Sequence, residues 1–497
     1  NQKEIQSVLI FRAKQNKTKQ NKIRCKKYII LFKYYISVIN MFENGLFIFR
    51  RDLRIQDNIG LNLAAEKCKH VYPIFIFTPE QVTDKNKHKS DNAVQFMIES
   101  LDDLQGNIRK HNGNLNTFYG ENETIVKKLI KKWKIDAVFF NKDITPYAKK
   151  RDKSIEKLCE TMNIECLTGQ DYYLYPPDAV VTGSGEYYTK YTPYYNKVIL
   201  LKVEKPAYSR QFHFTNVSDG NITITDAYMK FTEPNHEILV NASRENGLQI
   251  LSNISTFKSY DKTRNDLDKT TTQLSAYLKF GNISVRETYD KMKSKLGLKS
   301  GLIKQLIWRE FYAQLLYHNP QVLGNPLKEK YGKIKWDKNT KNLNAWKNGM
   351  TGFPIVDAGM REMNKTGYMH NRARLITASF LIKTLLINWE DGEKYFSQHL
   401  TDYDPASNNG NWQWVASTGA DSQPYFRIFN PWSQSDKHDP EATYIKKWIP
   451  ELQDIPPKAI HQWNEEWAKY PNIKYPKPIV DYEIQREKAL EMYKSVV

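Results

Sequence analysis

The chain has 497 residues and a mass of 58.4 kDa, a length that predicts two or three domains rather than one hydrophobic core. Hydrophobic residues make up 40% of the sequence, aromatic residues 13% and charged residues 26%, a composition that is typical of a folded globular protein and excludes a disordered chain. No run of about eighteen or more apolar residues occurs, which excludes a membrane-spanning helix.

Part of the net charge of +19 belongs to residues 1–40, which hold ten Lys or Arg and a single acid, Glu4. The remaining residues keep a net charge of +10, a basic excess that is compatible with a nucleic-acid partner. Residues 1–40 lack hydrophobic periodicity over most of their length and end just before Met41. Two interpretations stay open for them: a disordered basic tail or upstream sequence translated in frame, and a basic organelle presequence.

The four cysteines form no CxxC pair and have no metal-ligand spacing; they are Cys25, Cys68, Cys159 and Cys166. This pattern is typical of reduced thiols in an intracellular protein. We therefore expect no metal site, no iron–sulfur cluster and a location inside the cell.

Residues 41–170 alternate between strand-like and helix-like segments. Five short apolar runs predict strands: GLFIF, HVYPIFIF, NLNTFY, DAVFFN and IECLT. Amphipathic segments of helical length lie between them, near 58–68, 91–111, 121–132 and 147–162. Strands joined by helical crossovers predict an α/β domain with a parallel, Rossmann-like sheet, although no GxGxxG dinucleotide motif follows the first strand.

The rest of the chain divides into two parts by composition. Residues 171–245 are rich in Tyr, Pro, Gly and Thr and predict a long irregular linker that wraps the surface. Residues 246–497 have helical periodicity and predict a larger all-α domain. Ten of the eleven tryptophans lie at or beyond Trp308, where they either pack in the core or stack on bases or an aromatic cofactor.

Several long motifs resemble the photolyase/cryptochrome family, and more narrowly the microbial-type photolyases of cyclobutane pyrimidine dimers. Residues 346–451 carry WKNGMTGFPIVDAGMREMN, HNRARLITASFLI, NNGNWQW and PYFRIFNP, and FIFRRDLRIQDN, TTQLSAYL and YPKPIV add support outside this tract. The resemblance covers residues 41–497. It implies an α/β domain that often holds a light-harvesting chromophore, and a helical domain that binds FAD in a folded, U-shaped conformation.

The resemblance assigns one stretch of the chain to the flavin phosphates. Thr271, Thr272, Leu274 and Ser275 match that stretch, and their hydroxyl and backbone donors suit a pyrophosphate at a helix start. An ordinary Ser/Thr helix cap explains them equally well from the residues alone. The other cofactor residues that the resemblance implies are Tyr260, Arg309, Arg374, Asp402, Asp404 and Asn408.

Two of these assignments predict how the protein would affect the charge of the flavin ring. Arg374, Asp402 and Asp404 match the cluster around the flavin ring, where a cationic neighbour favours the anionic reduced flavin. Asn408 matches the residue that faces flavin N5. Plant-type cryptochromes tend to have Asp there, so the amide favours a repair enzyme.

Three tryptophans match the family's electron-transfer chain from the flavin to the surface: Trp412, Trp389 and Trp336. The chemistry needs easily oxidised rings in near contact. Core packing explains any one of these rings, but it explains the three together much less well.

The lesion site that the resemblance implies needs the damaged bases to leave the duplex and enter a pocket beside the flavin. Trp308 and Trp414 match the two rings that sandwich the flipped dimer. Arg264, Asn371 and Arg372 match residues that face the lesion and the DNA backbone. Two positions depart from the dimer-photolyase pattern, with Gln305 where the family has Glu and Leu375 where it has Met.

The Gln305 amide is shared with the (6-4) photolyases, which is the first alternative. Those enzymes have a histidine pair at the positions of Asn371 and Leu375, and this chain lacks both histidines, so the dimer reaction is favoured. The second alternative is a cryptochrome-like blue-light receptor without repair activity. The intact lesion-pocket residues make it the weaker hypothesis.

We therefore predict a monomeric photolyase that binds ultraviolet-damaged DNA and uses light and reduced FAD to split pyrimidine dimers. The antenna chromophore stays open. Folate-binding members have Asn and Glu where this chain has Tyr147 and Ala148, so a deazaflavin or an empty site is as compatible as a folate.

Overall fold

The computed structural model describes residues 41–207 and 211–496. The hypotheses on residues 1–40 and on Cys25 lie outside the described residues. Within them, a parallel sheet is followed by a larger region in which helices predominate. The predicted fold class, an α/β part with an all-α part after it, is confirmed.

The sheet has five parallel strands in the order β3-β2-β1-β4-β5. Their bounds are Phe42–Phe49 (β1), Cys68–Phe77 (β2), Asn116–Tyr119 (β3), Ala137–Asn141 (β4) and Glu165–Gly169 (β5). The predicted apolar runs form these strands because both faces of a parallel sheet are covered by helices. The strand order reverses beside β1, which opens a crevice at the carboxyl ends of the strands where ligands bind in such folds.

Five helices accompany the sheet. They are Ile59–Lys67 (α1), Pro79–Val82 (α2), Asp91–Arg109 (α3), Asn122–Trp133 (α4) and Pro146–Thr161 (α5). Side-chain caps mark the starts of three of them: the Asn58 side chain accepts a hydrogen bond from Leu61 N at α1, Ser90 accepts one from Ala93 N at α3, and Thr145 accepts one from Ala148 N at α5. Four of these helices lie at the predicted positions, and the short α2 is additional.

The predicted linker contains two helices, Tyr191–Val198 (α6) and Ile224–Phe231 (α7). The segment around Phe214 also runs beside β2, through a bridge to Val71. Because one hydrophobic core extends from the sheet across residues 171–316, the proposed boundaries near 170 and 246 remain predictions.

The C-terminal region is built from helices of 4 to 18 residues. They are Arg244–Ser252 (α8), Tyr260–Thr263 (α9), Ser275–Phe280 (α10), Val285–Leu296 (α11), Gly301–His318 (α12), Thr340–Lys347 (α13), Pro354–Thr366 (α14), Asn371–Ser379 (α15), Trp389–His399 (α16), Pro405–Val415 (α17), Pro431–His438 (α18), Thr443–Trp448 (α19), Pro457–His461 (α20), Trp463–Glu466 (α21) and Tyr482–Lys494 (α22). A π-helical turn, Phe380–Thr384, continues α15. Among the described residues, none of the helices has both the length and the apolar character needed to cross a bilayer.

Two large hydrophobic cores divide the packing. The first joins one face of the sheet to α10, α11 and α12. The second lies within the later helices, around Trp346, Trp389, Trp412 and Trp463. The helices that carry the predicted flavin residues lie along the seam between these cores.

A buried ionic network joins the sheet to the helical region. Asp171, at the end of β5, accepts hydrogen bonds from Arg54 Nη2 at 2.7 and 2.8 Å and from Arg286 Nη2 at 2.7 Å. Arg286 also pairs with Asp57, at 3.1 Å. Although burial opposes it, Arg54 and Arg286 hold the pKa of Asp171 below its usual value. Two arginines and two aspartates balance each other where the two parts of the molecule meet.

We predict that Asp171→Ala lowers the free energy of unfolding by about 3–5 kcal/mol, because it leaves the buried Arg54 without its carboxylate and Arg286 with Asp57 alone. Denaturant unfolding of the variant and the unmodified protein measures the difference. Asp268→Ala, which removes a carboxylate from an exposed pair with Lys269, is the control and should have no measurable effect. A loss for Asp171→Ala no larger than that of the control would contradict the role of the network.

Candidate functional site

Two cavities lie along the seam. The larger, of about 830 Å³, opens between the carboxyl ends of β1 and β2 and the helices α5 and α16. The smaller, of about 300 Å³, lies among α10, α12, α15 and α17. Lys279 and Tyr403 line both cavities.

The smaller cavity brings together most of the predicted site residues. Those that line it are Tyr260, Arg264, Thr271, Thr272, Leu274, Ser275, Gln305, Arg309, Asn371, Arg374, Leu375, Asp402, Asp404, Asn408 and Trp412. The predicted residues that do not line it are Trp308, Trp336, Arg372, Trp389 and Trp414. Residues assigned to the flavin and residues assigned to the lesion therefore share one cavity.

The segment before α10 presents hydroxyl groups to this cavity. Thr271, Thr272 and Ser275 line it, with Gln273 between them in the left-handed conformation at φ 53°. Tyr368, which the sequence analysis did not single out, also lines this cavity, and burial raises its pKa. The cavity therefore has a wall of neutral hydroxyl donors.

The predicted Arg–Asp cluster is in fact two separate pairs. Arg374 on α15 donates from Nη2 to both Asp402 carboxylate oxygens, at 3.0 and 3.1 Å, and from Nε to Met369 O at 2.9 Å. Asp404 caps α17 by accepting from Ser407 N and pairs with Arg51 Nη1 at 2.9 Å. Asp404 is therefore held by the loop after β1, which the sequence analysis did not connect to it.

The charges around Asp404 are strongly coupled. Burial opposes the charged carboxylate, but Arg51, Lys279 and Arg309 lower the pKa of Asp404 well below its usual value. Burial and Arg51 lower the pKa of Lys279 to about 8. Lys279 follows the hydroxyl segment directly on α10, and it is the cation that the sequence analysis missed.

The amide of Asn408, on α17, is held by Glu393. Its Nδ2 donates to Glu393 O at 3.1 Å and to Glu393 Oε1 at 3.0 Å, both on α16. These two bonds orient the amide and leave its Oδ1 to accept from a donor in the cavity. Burial raises the pKa of Glu393 to about 7, with the Asn408 hydrogen bond opposing and Glu390 adding to the effect.

The three predicted electron-transfer tryptophans differ in burial and in the cavity that they line. Trp412 lines that cavity and is 3% exposed. Its ring lies against Gly392 so closely that a Cβ there would come within 2.2 Å of it, and Gly392 is on the same helix as Trp389. Trp389, 2% exposed, lines the larger cavity, and the half-buried Trp336 lies beside the bridge that joins Asp337 to Ile387.

The predicted lesion residues occupy the edge of the smaller cavity. Gln305, Asn371 and Leu375 line it, and Trp308 is one helical turn beyond Gln305 on α12. Trp308 and Trp414 are half-buried. Arg372 lies beside the site and donates from Nη2 to Asn265 Oδ1 at 2.7 Å.

The donor set of the smaller cavity fits a flavin dinucleotide. Its charged lining residues are Arg264, Lys279, Arg309, Arg374, Asp402 and Asp404, an excess of two positive charges that complements a pyrophosphate. The hydroxyl wall, the oriented Asn408 amide and the Trp412 ring add donors, an acceptor and an aromatic surface. All of these groups suit FAD.

The larger cavity is lined by cations near its mouth. Lys85, Lys87, Lys89 and Arg151 contribute to it, and Arg50 adds Nε and Nη2 groups that are buried and make no hydrogen bond. Tyr147 Oη lies 2.9 Å from Thr78 Oγ1 across the strand ends. This cavity lies in the crevice that the strand order predicts for a ligand.

Comparison with known proteins identifies the family. The family model for DNA photolyase matches residues 46–209, and the model for the FAD binding domain of DNA photolyase matches residues 302–495. The chain belongs to the DNA photolyase family. It is therefore a DNA photolyase by family, with FAD as its cofactor.

Individual members of the family align along most of the chain. A deoxyribodipyrimidine photo-lyase of Halobacterium salinarum is 33% identical over 90% of this chain and 98% of its own length. The crystal structure of an archaeal photolyase from Sulfolobus tokodaii with two FAD molecules is 40% identical, with a TM-score of 0.83 over 91% of this chain and all of that one. A class III photolyase from Agrobacterium tumefaciens is 31% identical, with a TM-score of 0.85 over 91% and 98% of the two chains.

We predict that Trp412→Phe removes most of the photoreduction of bound oxidised flavin by blue light and an external reductant. Phe is much harder to oxidise than Trp, so the first ring of the predicted path is lost. Flavin absorbance under illumination measures the rate. Trp463→Phe is the control, because Trp463 is equally buried but packs against Tyr470 and Tyr475. Equal rates in the two variants would show that the path does not begin at Trp412.

A second prediction concerns the pH dependence of stability. The folded-state pKa of Glu393, about 7, lies above its unfolded value, so the protein loses stability as the pH rises from the unfolded pKa through 7. Glu393→Gln removes this titrating group. Between pH 5 and pH 8, the free energy of unfolding of the variant should therefore fall by about 2–3 kcal/mol less than that of the unmodified protein.

Denaturant unfolding of both proteins at pH 5 and pH 8 tests this expectation. Glu465→Gln, at an exposed position of α21, is the control. If the Glu393→Gln protein and the unmodified protein lose equal stability over this range, then Glu393 is not the group that titrates.

Proposed function

We propose that this photolyase repairs cyclobutane pyrimidine dimers in DNA, as a monomer inside the cell, with FAD in the smaller cavity. When bound and reduced, FAD excited by light supplies an electron to the dimer and regains it after the two bonds break, so that no net redox change occurs. The observation that carries the proposal is the single cavity lined by both groups of residues, with Gln305, Asn371 and Leu375 beside Arg374 and Asn408.

The residues around the flavin hold it and set the charge that it meets. The hydroxyls of Thr271, Thr272 and Ser275 bind the pyrophosphate, with the excess positive charge of the cavity as a counterion. Arg374, held by Asp402, faces the ring and favours its negative charge. Asn408 offers a neutral amide at the ring edge, where a carboxylate would repel that charge.

The lesion enters the smaller cavity beside these flavin-binding residues. Flipping the dimer out of the duplex costs a few kcal/mol, and the cost is lowest for a damaged base pair. Stacking on Trp308 and Trp414 offsets this cost by about 1–3 kcal/mol per base. Gln305 then reaches the dimer as a hydrogen-bond donor, in place of the usual carboxyl group. Arg264 and Arg372 lie where phosphate contacts would hold the strand.

A dimer substrate is favoured over a (6-4) lesion because this chain has Asn371 and Leu375 where the (6-4) photolyases have their histidine pair. Among the residues that the structure describes, no histidine lines the smaller cavity. The nearest in sequence, His370, is buried as the cap of α15, where its Nδ1 accepts from Arg372 N. Burial and the neighbouring Arg374 lower the pKa of His370 to about 4, so it is neutral at physiological pH and cannot serve as a charged acid.

The larger cavity is proposed to hold a second chromophore. Its lysines and the unpaired nitrogens of Arg50 suit an anionic, phosphate-bearing molecule. Tyr147 and Ala148 replace the Asn and Glu of folate-binding members, which favours a flavin-type antenna over a folate. The Sulfolobus tokodaii photolyase, 40% identical, contains two FAD molecules.

The deciding experiment is a light-dependent repair assay on oligonucleotides that contain either a cyclobutane dimer or a (6-4) lesion, with the flavin fully reduced. We expect repair of the dimer and none of the (6-4) lesion. Repair of the (6-4) lesion alone would overturn the substrate, and repair of neither would favour a light receptor.

The same assay tests the role of position 305. We predict that Gln305→Glu raises repair per absorbed photon, because a carboxyl group stabilises charge on the dimer better than an amide. Dissociation constants should change only a few-fold, since the two kinds of hydrogen bond differ by about 1 kcal/mol. Gln249→Glu, on α8 outside the cavity, is the matched control. An unchanged or lower yield in Gln305→Glu would reject this role.

A further inference from the structure

Trp308 is stacked face to face with a tyrosine from the predicted linker. The rings of Tyr191 and Trp308 have centroids 3.6 Å apart and planes within 5° of parallel. Aromatic pairs in proteins usually offset their rings or meet edge to face. So close a parallel stack covers one face of the indole almost completely.

Tyr191 is held in this position from both ends. Its hydroxyl donates to Lys304 O at 3.0 Å, and its backbone N–H donates to Asp421 Oδ2 at 3.2 Å. Lys304 lies on the same helix as Trp308, one turn earlier, while Asp421 belongs to the loop after α17. The tyrosine is therefore fixed relative to both the indole and this loop, and is not a freely moving side chain.

The remaining neighbours of Trp308 meet it from other directions. Phe311 lies edge-on, with its centroid at 5.6 Å, and Tyr312 is tilted by 31° at 5.5 Å. Trp308 is nevertheless only half-buried. Part of the indole therefore stays accessible although Tyr191 is stacked on one of its faces.

We propose that Tyr191 is a positioning residue for Trp308, which fixes the plane of the indole and closes one of its faces so that a flipped-out base stacks on the other face only. This inference rests on the proposed lesion-stacking role of Trp308. A free indole could rotate and accept any base on either face. A held, one-sided indole accepts a base in one orientation, so Tyr191 contributes to the discrimination between damaged and undamaged DNA.

The test compares variants of the FAD-loaded, full-length protein in binding a dimer-containing oligonucleotide and its undamaged counterpart. Tyr191→Ala should weaken binding of the dimer-containing DNA by about three- to tenfold, which is the contribution expected of one aromatic pair. It should also lower the ratio of the affinity for dimer-containing DNA to the affinity for undamaged DNA. Tyr191→Phe, which keeps the ring, should restore that ratio to within about twofold of the unmodified protein. Tyr187→Ala is the matched control, because Tyr187 lies in the same predicted linker, is also half-buried and stacks on His318 of α12 in place of Trp308.

Flavin content and the thermal midpoint check that each variant folds. Tyr191→Leu keeps apolar bulk without a ring, and replaces Tyr191→Ala if that protein loses its flavin. Tighter binding by the ring-less variant would overturn the inference, because Tyr191 would then occupy the stacking site itself.

Trp308→Ala separates this inference from the proposed function. If Trp308→Ala weakens dimer binding while the ring-less Tyr191 variant leaves affinity and ratio unchanged, only the role of Tyr191 is wrong. If Trp308→Ala has no effect, the lesion-stacking role fails and the inference fails with it. In the double variant, the loss should be no larger than that of Trp308→Ala alone.

Discussion

The structure depends on the buried ionic network of two arginines and two aspartates, which are Arg54, Asp57, Asp171 and Arg286. Their side chains are 0–5% exposed, so the four charges balance one another largely without solvent. The network joins the strand ends to α11 and therefore determines how the sheet meets the helices. Gly281 reinforces this contact, since at φ 72° a Cβ would come within 2.5 Å of Arg51 O. Both cavities lie along that junction and would change shape if it moved.

A second constraint is the wall that the two cavities share. Lys279 and Tyr403 line both, and Asp404 is paired with Arg51 from the loop after β1. The position of a carboxylate beside the smaller cavity is thus controlled by a guanidinium that lines the larger one. A charged molecule in the larger cavity would act on the same group of ions that surrounds the smaller cavity. The two cavities are therefore linked electrostatically, and the link requires no conformational change.

Much of the fold could be predicted because the strands are uninterrupted apolar runs and the helices have clear amphipathic periods. The site residues could be found only through long motifs, and those motifs did not reveal partners far apart in the chain. Arg51 with Asp404 and Asn408 with Glu393 are examples. The helix Tyr191–Val198 was missed for another reason. Its tyrosines pack on α12, but in the sequence they stand among Pro, Gly and Thr, which are typical of an irregular segment.

The two sides of the smaller cavity differ in how firmly their charge is held. On one side, Arg374 donates from Nη2 to both carboxylate oxygens of Asp402, and although burial opposes its charge, Asp402 raises the pKa of Arg374 above its usual value. On the other, the Asn408 amide is neutral, and burial keeps the pKa of Glu393 behind it near 7. The lining of the smaller cavity therefore combines a guanidinium with a neutral amide, and behind that amide lies a carboxyl group that can stay protonated. An aspartate in place of Asn408 would put a second acid against Glu393, and the like charges would raise the pKa of one of them. The amide avoids that conflict and leaves Glu393 as the only titrating group of this pair.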